Sequence, residues 1–340
     1  MKIAIHHREG SFSGRWITYC EKKGIPYKLV DCFGTDIVDN LKDCDALMWH
    51  YHHANYKDRL VASNVLFSLE HAGVHVFPDI KSSWHFDDKV AQKYLLEAIE
   101  APLVPSYVFY DKKEAMAWAK NTTFPKVFKL KGGAGSKNVL LVKNLNECIR
   151  LINRAFNRGF SQYTIKNAVK DDLLRYQKTK KPVNLLKAVG RFVIKPEYAK
   201  LQSREKGYVY FQDFVENDGY DMRISVIGDR AVAVKRLVRE NDFRASGAGN
   251  AVYEFENFDK RYIETAFKIA DKLKGQSISM DFIKDKRDGN ILIVEISYGF
   301  PLRFLDHAMG YWDRHVVWHE EAFCPQEWMV SDLVARIEKG

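Results

Sequence analysis

Short apolar runs alternate with amphipathic stretches over the first quarter of the chain. Ile3 to Ile5 reads as a strand. Phe12 to Lys23 reads as a helix that gathers Trp16, Tyr19 and Cys20 on one face and stops at Gly24. Tyr27 to Val30 and Ala46 to Trp49 are further apolar runs. Tyr56 to Ala72 is helical up to Gly73, and Val74 to Phe77 is a strand closed by Pro78. This βαβ rhythm predicts a small parallel sheet covered by helices.

The pattern then changes. A helix is expected over Asp87 to Glu100, ended by Pro102 and Pro105, then a strand at Ser106 to Tyr110 and a helix at Lys113 to Lys120. Phe124 to Val142 reads as strand, glycine-rich loop, strand. Ile165, Val169 and Leu173 recur at helical spacing. Beyond Gly207 the chain is strand-rich, with candidates at Tyr208 to Val215, Met222 to Ile227, Ala231 to Val238, Ile278 to Ile283 and Ile291 to Ile296. A helix at Lys260 to Lys272 lies among them.

With 340 residues, 46% hydrophobic and 13% aromatic, the chain is long enough for two or three domains at roughly 150 residues each. It is too apolar for a disordered chain. No apolar run reaches the ~18 residues of a bilayer span. His6, His7 and Arg8 directly after three apolar residues are unlike a secretory leader. Five cysteines without a Cys-x-x-Cys pair argue against a disulfide framework or a thiolate zinc site. A cytoplasmic location is therefore expected. The net charge of +9 is uneven: residues 151–206 hold 14 Lys and Arg against 4 Asp and Glu. A specific nucleic-acid binder would not confine its charge in this way. The segment is expected to be a helical insertion, either a solvated lid or a surface for a polyanion or an anionic membrane.

Three constellations carry candidate chemistry. The loop Gly132-Gly133-Ala134-Gly135-Ser136-Lys137 lies between two strands, so it is no Walker loop, which needs a following helix. Its N–H groups suit closure over phosphates, although an ordinary glycine-rich hairpin reads the same way. Lys129 interrupts the apolar strand just before it and must snorkel or meet an anion. Asp281 and Glu295 interrupt two apolar strands, where unpaired carboxylates cost several kcal/mol. Magnesium satisfies such oxygen ligands, and so does a buried salt bridge with Arg223 or Arg236. The third is Asp242-Phe243-Arg244-Ala245-Ser246-Gly247, a polar loop after a strand bearing Lys235 and Arg236, with arginines able to clamp an anion. His50, His52 and His53 fit aromatic packing at a site rim better than zinc. Trp312, Trp318 and Trp328 read as core anchors.

Lysine strand, glycine lid, basic strand, Arg-Gly loop and paired acidic strands, in that order from about Asp87 to Leu305, resemble the ATP-grasp superfamily. The resemblance is to its carboxylate–amine ligases, such as the glutamate ligases that modify ribosomal protein and the D-alanine–D-alanine ligases. It implies an α/β chain with an N-terminal βαβ domain (1–85), a first ATP-grasp lobe with the basic insertion (86–206) and a second lobe with C-terminal helices (207–340), ATP binding between the lobes. It implies further that Lys89 and Lys129 contact the nucleotide and that Gly132, Gly133, Gly135 and Ser136 belong to the phosphate lid. Asp213, Phe214 and Val215 form the adenine hinge, Asp221 meets the ribose and Lys235 a phosphate. Arg236 and Arg244 serve the reacting end, and Asp281, Glu295 and Ser297 hold Mg²⁺. Ser297 stands where the family usually has asparagine, in a Glu-x-Asn motif. The implied reaction joins a small-molecule or glycan-linked carboxylate to an amine through an acyl phosphate. Phosphoryl transfer to another acceptor, and a non-catalytic polyanion-binding module, are the alternatives.

Overall fold

The computed structural model describes residues 1–132, 138–161, 204–238, 251–253 and 258–339. They form two compact units, one of Met1–Val104 with Val215–Gly340 and one of Pro105–Phe214.

The first unit opens with four parallel strands, β1 (Ile3–His6), β2 (Tyr27–Val30), β3 (Ala46–Met48) and β4 (His75–Phe77), in the order β2-β1-β3-β4. The helices α1 (Ser13–Lys23) and α3 (Tyr56–His71), the single-turn helices α2 (Ile37–Asn40) and α4 (Ile80–Ser83), and α5 (Lys89–Ala98) follow the strands. Gly24 ends α1 in the left-handed region at φ 65°, which a glycine enters without steric cost. The periodicity read from the sequence matches β1–β4, α1 and α3. The two single turns are too short to carry a period.

The second unit is one antiparallel sheet, β5-β8-β6-β7, built from β5 (Ser106–Phe109), β6 (Lys126–Lys129), β7 (Val139–Val142) and β8 (Val209–Asp213). Helices α6 (Lys112–Asn121) and α7 (Leu145–Phe156) cover one face, where Ala115, Ala119, Phe128, Cys148, Ile152 and Phe211 form the core. The sequence reading starts the basic insertion at Leu151. In the structure residues 151–156 are the end of α7, a core helix. The predicted helical period of Ile165, Val169 and Leu173 lies outside the described residues.

The first unit resumes with a seven-stranded sheet in the order β13-β12-β9-β10-β14-β15, with β11 paired to β10. Its strands are β9 (Tyr220–Ile227), β10 (Arg230–Leu237), β11 (Ala251–Val252), β12 (Ser277–Lys284), β13 (Ile291–Ser297), β14 (Tyr311–Asp313) and β15 (Trp318–His319). Its helices are α8 (Arg261–Leu273), α9 (Leu302–Leu305) and α10 (Pro325–Glu338). Strand alternation splits this sheet between two cores. Met222, Ile224, Ala233, Met280 and Ile293 face α8. Ile227, Val232 and Val234 face the other way and share a core with Ile3, Ile5, Trp16 and Met329, so the parallel sheet and the large sheet are packed as one body. Trp312 is buried in the first of these cores, and Trp318 and Trp328 pack against its margin and that of the second. All five cysteines are free thiols. No described helix is long and apolar enough to cross a membrane.

Leu66 of α3 is fully buried against Leu47 and Trp49 on the outer face of the parallel sheet. Leu66→Ala is expected to cost about 2–5 kcal/mol through lost burial and the cavity left behind. Urea denaturation should show a lower midpoint with an unchanged slope.

Candidate active site

One face of the large sheet turns from apolar to polar along its strands. On β9 Asp221, Arg223 and Ser225 alternate with buried Met222, Ile224 and Val226; on β12 Ser277, Ser279 and Asp281 alternate with Ile278, Met280 and Phe282. Cross-strand partners share a face, and the register pairs Arg236 with Asp221, Arg223 with Asp281, and Ser225 with Ser279. β13 would not join this row by simple alternation, because Ile293 and Glu295 would then point the same way. A register shift resolves it: Phe282 pairs with Ile293 but Asp281 pairs with Glu295, leaving Val294 as the extra residue of a bulge. Bulges re-aim side chains in this manner. Ile296 stays in the core, while Glu295 and Ser297 lie opposite Asp281 and Ser279.

The charges on this face are matched. Asp281 accepts from Arg223 Nε at 2.7 Å and Nη2 at 2.9 Å, and its Oδ2 lies 2.7 Å from Arg236 Nη2. Arg236 also grips both oxygens of Asp221 at 2.6 Å. Burial alone would raise the Asp281 carboxyl, but its two arginines outweigh it and hold it below the usual carboxylate range. For Asp221 burial dominates, with neighbouring Asp281 adding to it, and the carboxyl is pushed up despite Arg236. The salt-bridge reading of Asp281 is thus realised with both arginines named for it.

Glu295 meets a different cation. Lys89, the first residue of α5, is buried and places Nζ 3.2 Å from Glu295 Oε1. The helix start is fixed by Asp88, whose side chain accepts from the N–H groups of Val90 and Ala91 at 3.1 and 3.0 Å. Gln92, one turn on, accepts from Ile296 N–H at 3.3 Å and ties α5 to the edge of β13. Ser297 Oγ donates to the Gly299 carbonyl at 2.7 Å and keeps lone pairs to offer. Lys235, on the opposite side of β10 from Arg236, has its ammonium 4.3 Å from the centre of the Tyr220 ring.

Magnesium prefers hard oxygen donors, and Asp281, Glu295 and Ser297 are such a set on one face. Both Asp281 oxygens are engaged by arginines, whereas the Glu295 side chain is 32% exposed with a single lysine beside it. The residues fit a divalent ion with Glu295 as the open ligand. Among the described residues no group of three or more His, Cys, Asp or Glu is arranged to hold a metal.

In the second unit Lys129 lies on the sheet face turned away from α6 and α7. It is buried and donates to Gln212 Oε1 at 2.6 Å; Gln212 in turn donates to Ser106 Oγ at 3.0 Å, as does Tyr210 through its hydroxyl at 2.9 Å. The Asp213 carboxylate is paired with Lys126 at 2.6 Å and its N–H donates to Pro105 O at 2.9 Å. Phe214 and Val215 follow directly at the boundary between the units. At the start of the glycine loop, Lys131 and Gly132 N–H donate to the Glu205 carboxylate at 2.9 and 3.3 Å. These amides therefore hold an anion of the protein's own, the Glu205 carboxylate. Gly133, Gly135, Ser136 and Arg244 lie outside the described residues.

The sequence reading did not single out Lys126, Gln212 as a lysine partner, or Glu205. A charged residue inside the apolar run 126–129 was the signal for Lys126, but its carboxylate partner lies 87 residues away. Glu205 sits within a segment whose composition drew attention only to its basic charge.

Residues 191–310 match the model of the RimK-like ATP-grasp domain. The α-aminoadipate–LysW ligase LysX of Saccharolobus solfataricus is 23% identical over 286 residues, covering 83% of this chain and 86% of that one. Among solved structures, D-alanine–D-alanine ligase of Bacillus anthracis complexed with ATP superposes with a TM-score of 0.57 at 12% identity, over 100% of this chain and 98% of that one. The biotin carboxylase domain of Hydrogenobacter thermophilus 2-oxoglutarate carboxylase, complexed with MgADP, ADP and bicarbonate, gives 0.58 at 16% identity, over 98% and 69%. The lysine-bearing strand, the anion-holding loop and the paired acidic strands stand on the fold these proteins share, and residues 191–310 match a RimK-like ATP-grasp domain.

Proposed function

We propose that the protein is an ATP-dependent carboxylate–amine ligase that works through an acyl phosphate. The observation that carries this reading is the bulge that turns Glu295 onto the face of Asp281, beside Lys89. A buried carboxylate beside a part-exposed one, with cations already in reach, is what a metal–polyphosphate site needs. The carboxylate of the acid attacks the γ-phosphorus of ATP, ADP leaves, and the amine then attacks the acyl carbon and expels phosphate. Phosphoryl transfer asks for positioning and charge neutralisation more than covalent help. Lys129 and Lys89 supply fixed positive charge to phosphate oxygens, and Arg236 is held rigid by Asp221 and Asp281 to serve the reacting end. Magnesium, when bound by Glu295 and Asp281, adds charge neutralisation of the phosphates. The adenine edge meets the backbone of 213–215, and the amides at Gly132 exchange Glu205 for phosphate. Asp221, engaged on both oxygens by Arg236, acts by holding that arginine.

The LysX relative is named for joining an amino acid, α-aminoadipate, to LysW. That name supports an amino acid as one of the two substrates of this reaction. ADP release measured over pairs of amines and carboxylates tests the ligase reading, and hydroxylamine added in place of the amine should yield a hydroxamate. ATP turnover with no hydroxamate from any acid would replace it with phosphoryl transfer to another acceptor.

Lys129→Met keeps the stem and removes the charge. ADP release is expected to fall at least about a hundredfold, with the circular dichroism melt retained. Wild-type turnover in the folded variant would take Lys129 out of the nucleotide site. The two acidic residues should separate. Glu295→Gln loses activity and demands more magnesium with little change in melting temperature. Asp281→Asn leaves Arg223 and Arg236 short of a buried counter-charge and costs about 3–5 kcal/mol of stability, read from denaturant midpoints. Equal stability losses would show that Glu295 is structural too.

A further inference from the structure

The N-terminal sheet carries donors that the nucleotide chemistry does not use. In the order β2-β1-β3-β4 the chain leaves β1 through α1 to β2 on one side, then returns to β3 on the other. The carboxyl ends of β1 and β3 therefore flank a topological switch point, where open parallel sheets leave a crevice for ligands. Arg8 stands two residues beyond β1 and His50 two residues beyond β3.

Both are held in place and both have donors to spare. Buried Ser11 and Ser13 pin the loop: Ser13 Oγ accepts from Arg8 N–H at 3.1 Å and lies 2.7 Å from Ser11 Oγ. The Arg8 guanidinium donates through Nη2 to the His50 carbonyl at 3.3 Å, while its buried Nε has no partner. Arg8 forms no ion pair among the described residues. The nearby carboxyl of Asp58 accepts from His52 N–H at 2.7 Å through Oδ2, and its Oδ1 is likewise unpartnered. His50 is 9% exposed and stacks on Phe12 with centroids 3.6 Å apart. Its Nδ1 accepts from Phe12 N–H at 3.1 Å. Burial, with Arg8 adding to it, keeps the ring neutral, so the proton sits on Nε2. That N–H has no partner among the described residues. It faces Gly299, where a Cβ would come within 3.5 Å of it. Helix α1 begins at the same place without a capping side chain or an acidic residue in its first turn, leaving its positive end uncompensated.

We infer that Arg8 and His50 form a binding site for the oxyanion of a substrate, a carboxylate or phosphate group not consumed in the reaction. A planar guanidinium and a fixed imidazole N–H are complementary to such a group. Gly299 follows Glu295 by four residues, so a molecule anchored here reaches toward the acidic pair. On the ligase reading, on which this assignment to a substrate rests, the molecule is an acidic amine such as an amino acid.

The test is direct binding to the full-length protein without nucleotide. L-Glutamate and, separately, inorganic phosphate are titrated by calorimetry into wild type, Arg8→Gln and Arg8→Lys. Wild type should bind at least one of them saturably. Arg8→Gln should weaken it about tenfold or more, with Arg8→Lys between, since lysine keeps the charge and loses the fork. Glutamate alone identifies a carboxylate site and phosphate alone a phosphoryl site. Wild type binding neither, or Arg8→Gln binding within about twofold of wild type, overturns the inference. Should Arg8→Gln not fold, unchanged affinity in Arg8→Lys overturns it. Arg8-dependent binding without ADP release from any acid and amine removes the ligase reading and leaves the oxyanion site. ADP release with no Arg8-dependent binding does the reverse.

Discussion

Arg236 is buried between two carboxylates, and the polar end of the large sheet is organised by that fact. A lone guanidinium there would cost several kcal/mol in desolvation. Asp221 beside it and Asp281 diagonally across supply the counter-charge, and Arg223 then neutralises the second of them. Each pair is a cross-strand neighbour or a diagonal one, so the network exists only if three strands keep their register. A slip of one residue in β12 would move Asp281 to the face of Met280 and Ile224, leaving Arg223 bare and Arg236 with Asp221 alone. The ionic network thus specifies the register of the sheet that carries the site.

The same logic explains the bulge. β13 lies at the edge of the sheet, and its outer side is covered by Pro102, Val104 and Gln92 through hydrogen bonds to Ile293 and Ile296. Ile291, Ile293 and Ile296 must all reach the α8 core, which a strict period of two cannot achieve. The extra residue at Val294 reconciles the apolar demand with an acidic side chain on the opposite face. Glu295 is therefore better exposed than Asp281 and more weakly paired, as a ligand-exchanging group should be.

Much of this was legible in the sequence. Asp281 and Glu295 stood out because each interrupts an apolar run, and both strands lie where those runs are. Arg223 and Arg236 were legible as partners for the same reason. The bulge was not, since the run Ile291 to Ile296 reads equally well as a regular strand and only the register exposes the shift. Nor was the hold of Arg236 on Asp221, which depends on strand pairing 15 residues apart. α7 was obscured because the charge count drew a boundary at Leu151 through the middle of a helix. Arg8 was read only as a charge unlike a secretory leader, and His50 as part of a site rim. What joins them is strand order, which no local pattern encodes.

Five consecutive residues connect these features. Glu295 faces Asp281 and Lys89; Ile296 is buried and gives its N–H to Gln92. Ser297 closes onto the Gly299 carbonyl, and Tyr298 is fully buried in the N-terminal core, its hydroxyl donating to Tyr51 O at 2.6 Å. Gly299 then lies against His50 and Phe86. Every second side chain is anchored in a core and the ones between face polar groups. The run can neither rotate nor slide without breaking packing on both sides. A group held at Arg8 and His50 is thereby kept at a fixed distance from Glu295, as near-attack positioning requires. The N-terminal sheet and the acidic strands work as one rigid piece because they share a core. On the proposed reading, that shared core, more than any single ligand, is what lets a substrate bound at the parallel sheet be presented to chemistry on the antiparallel one.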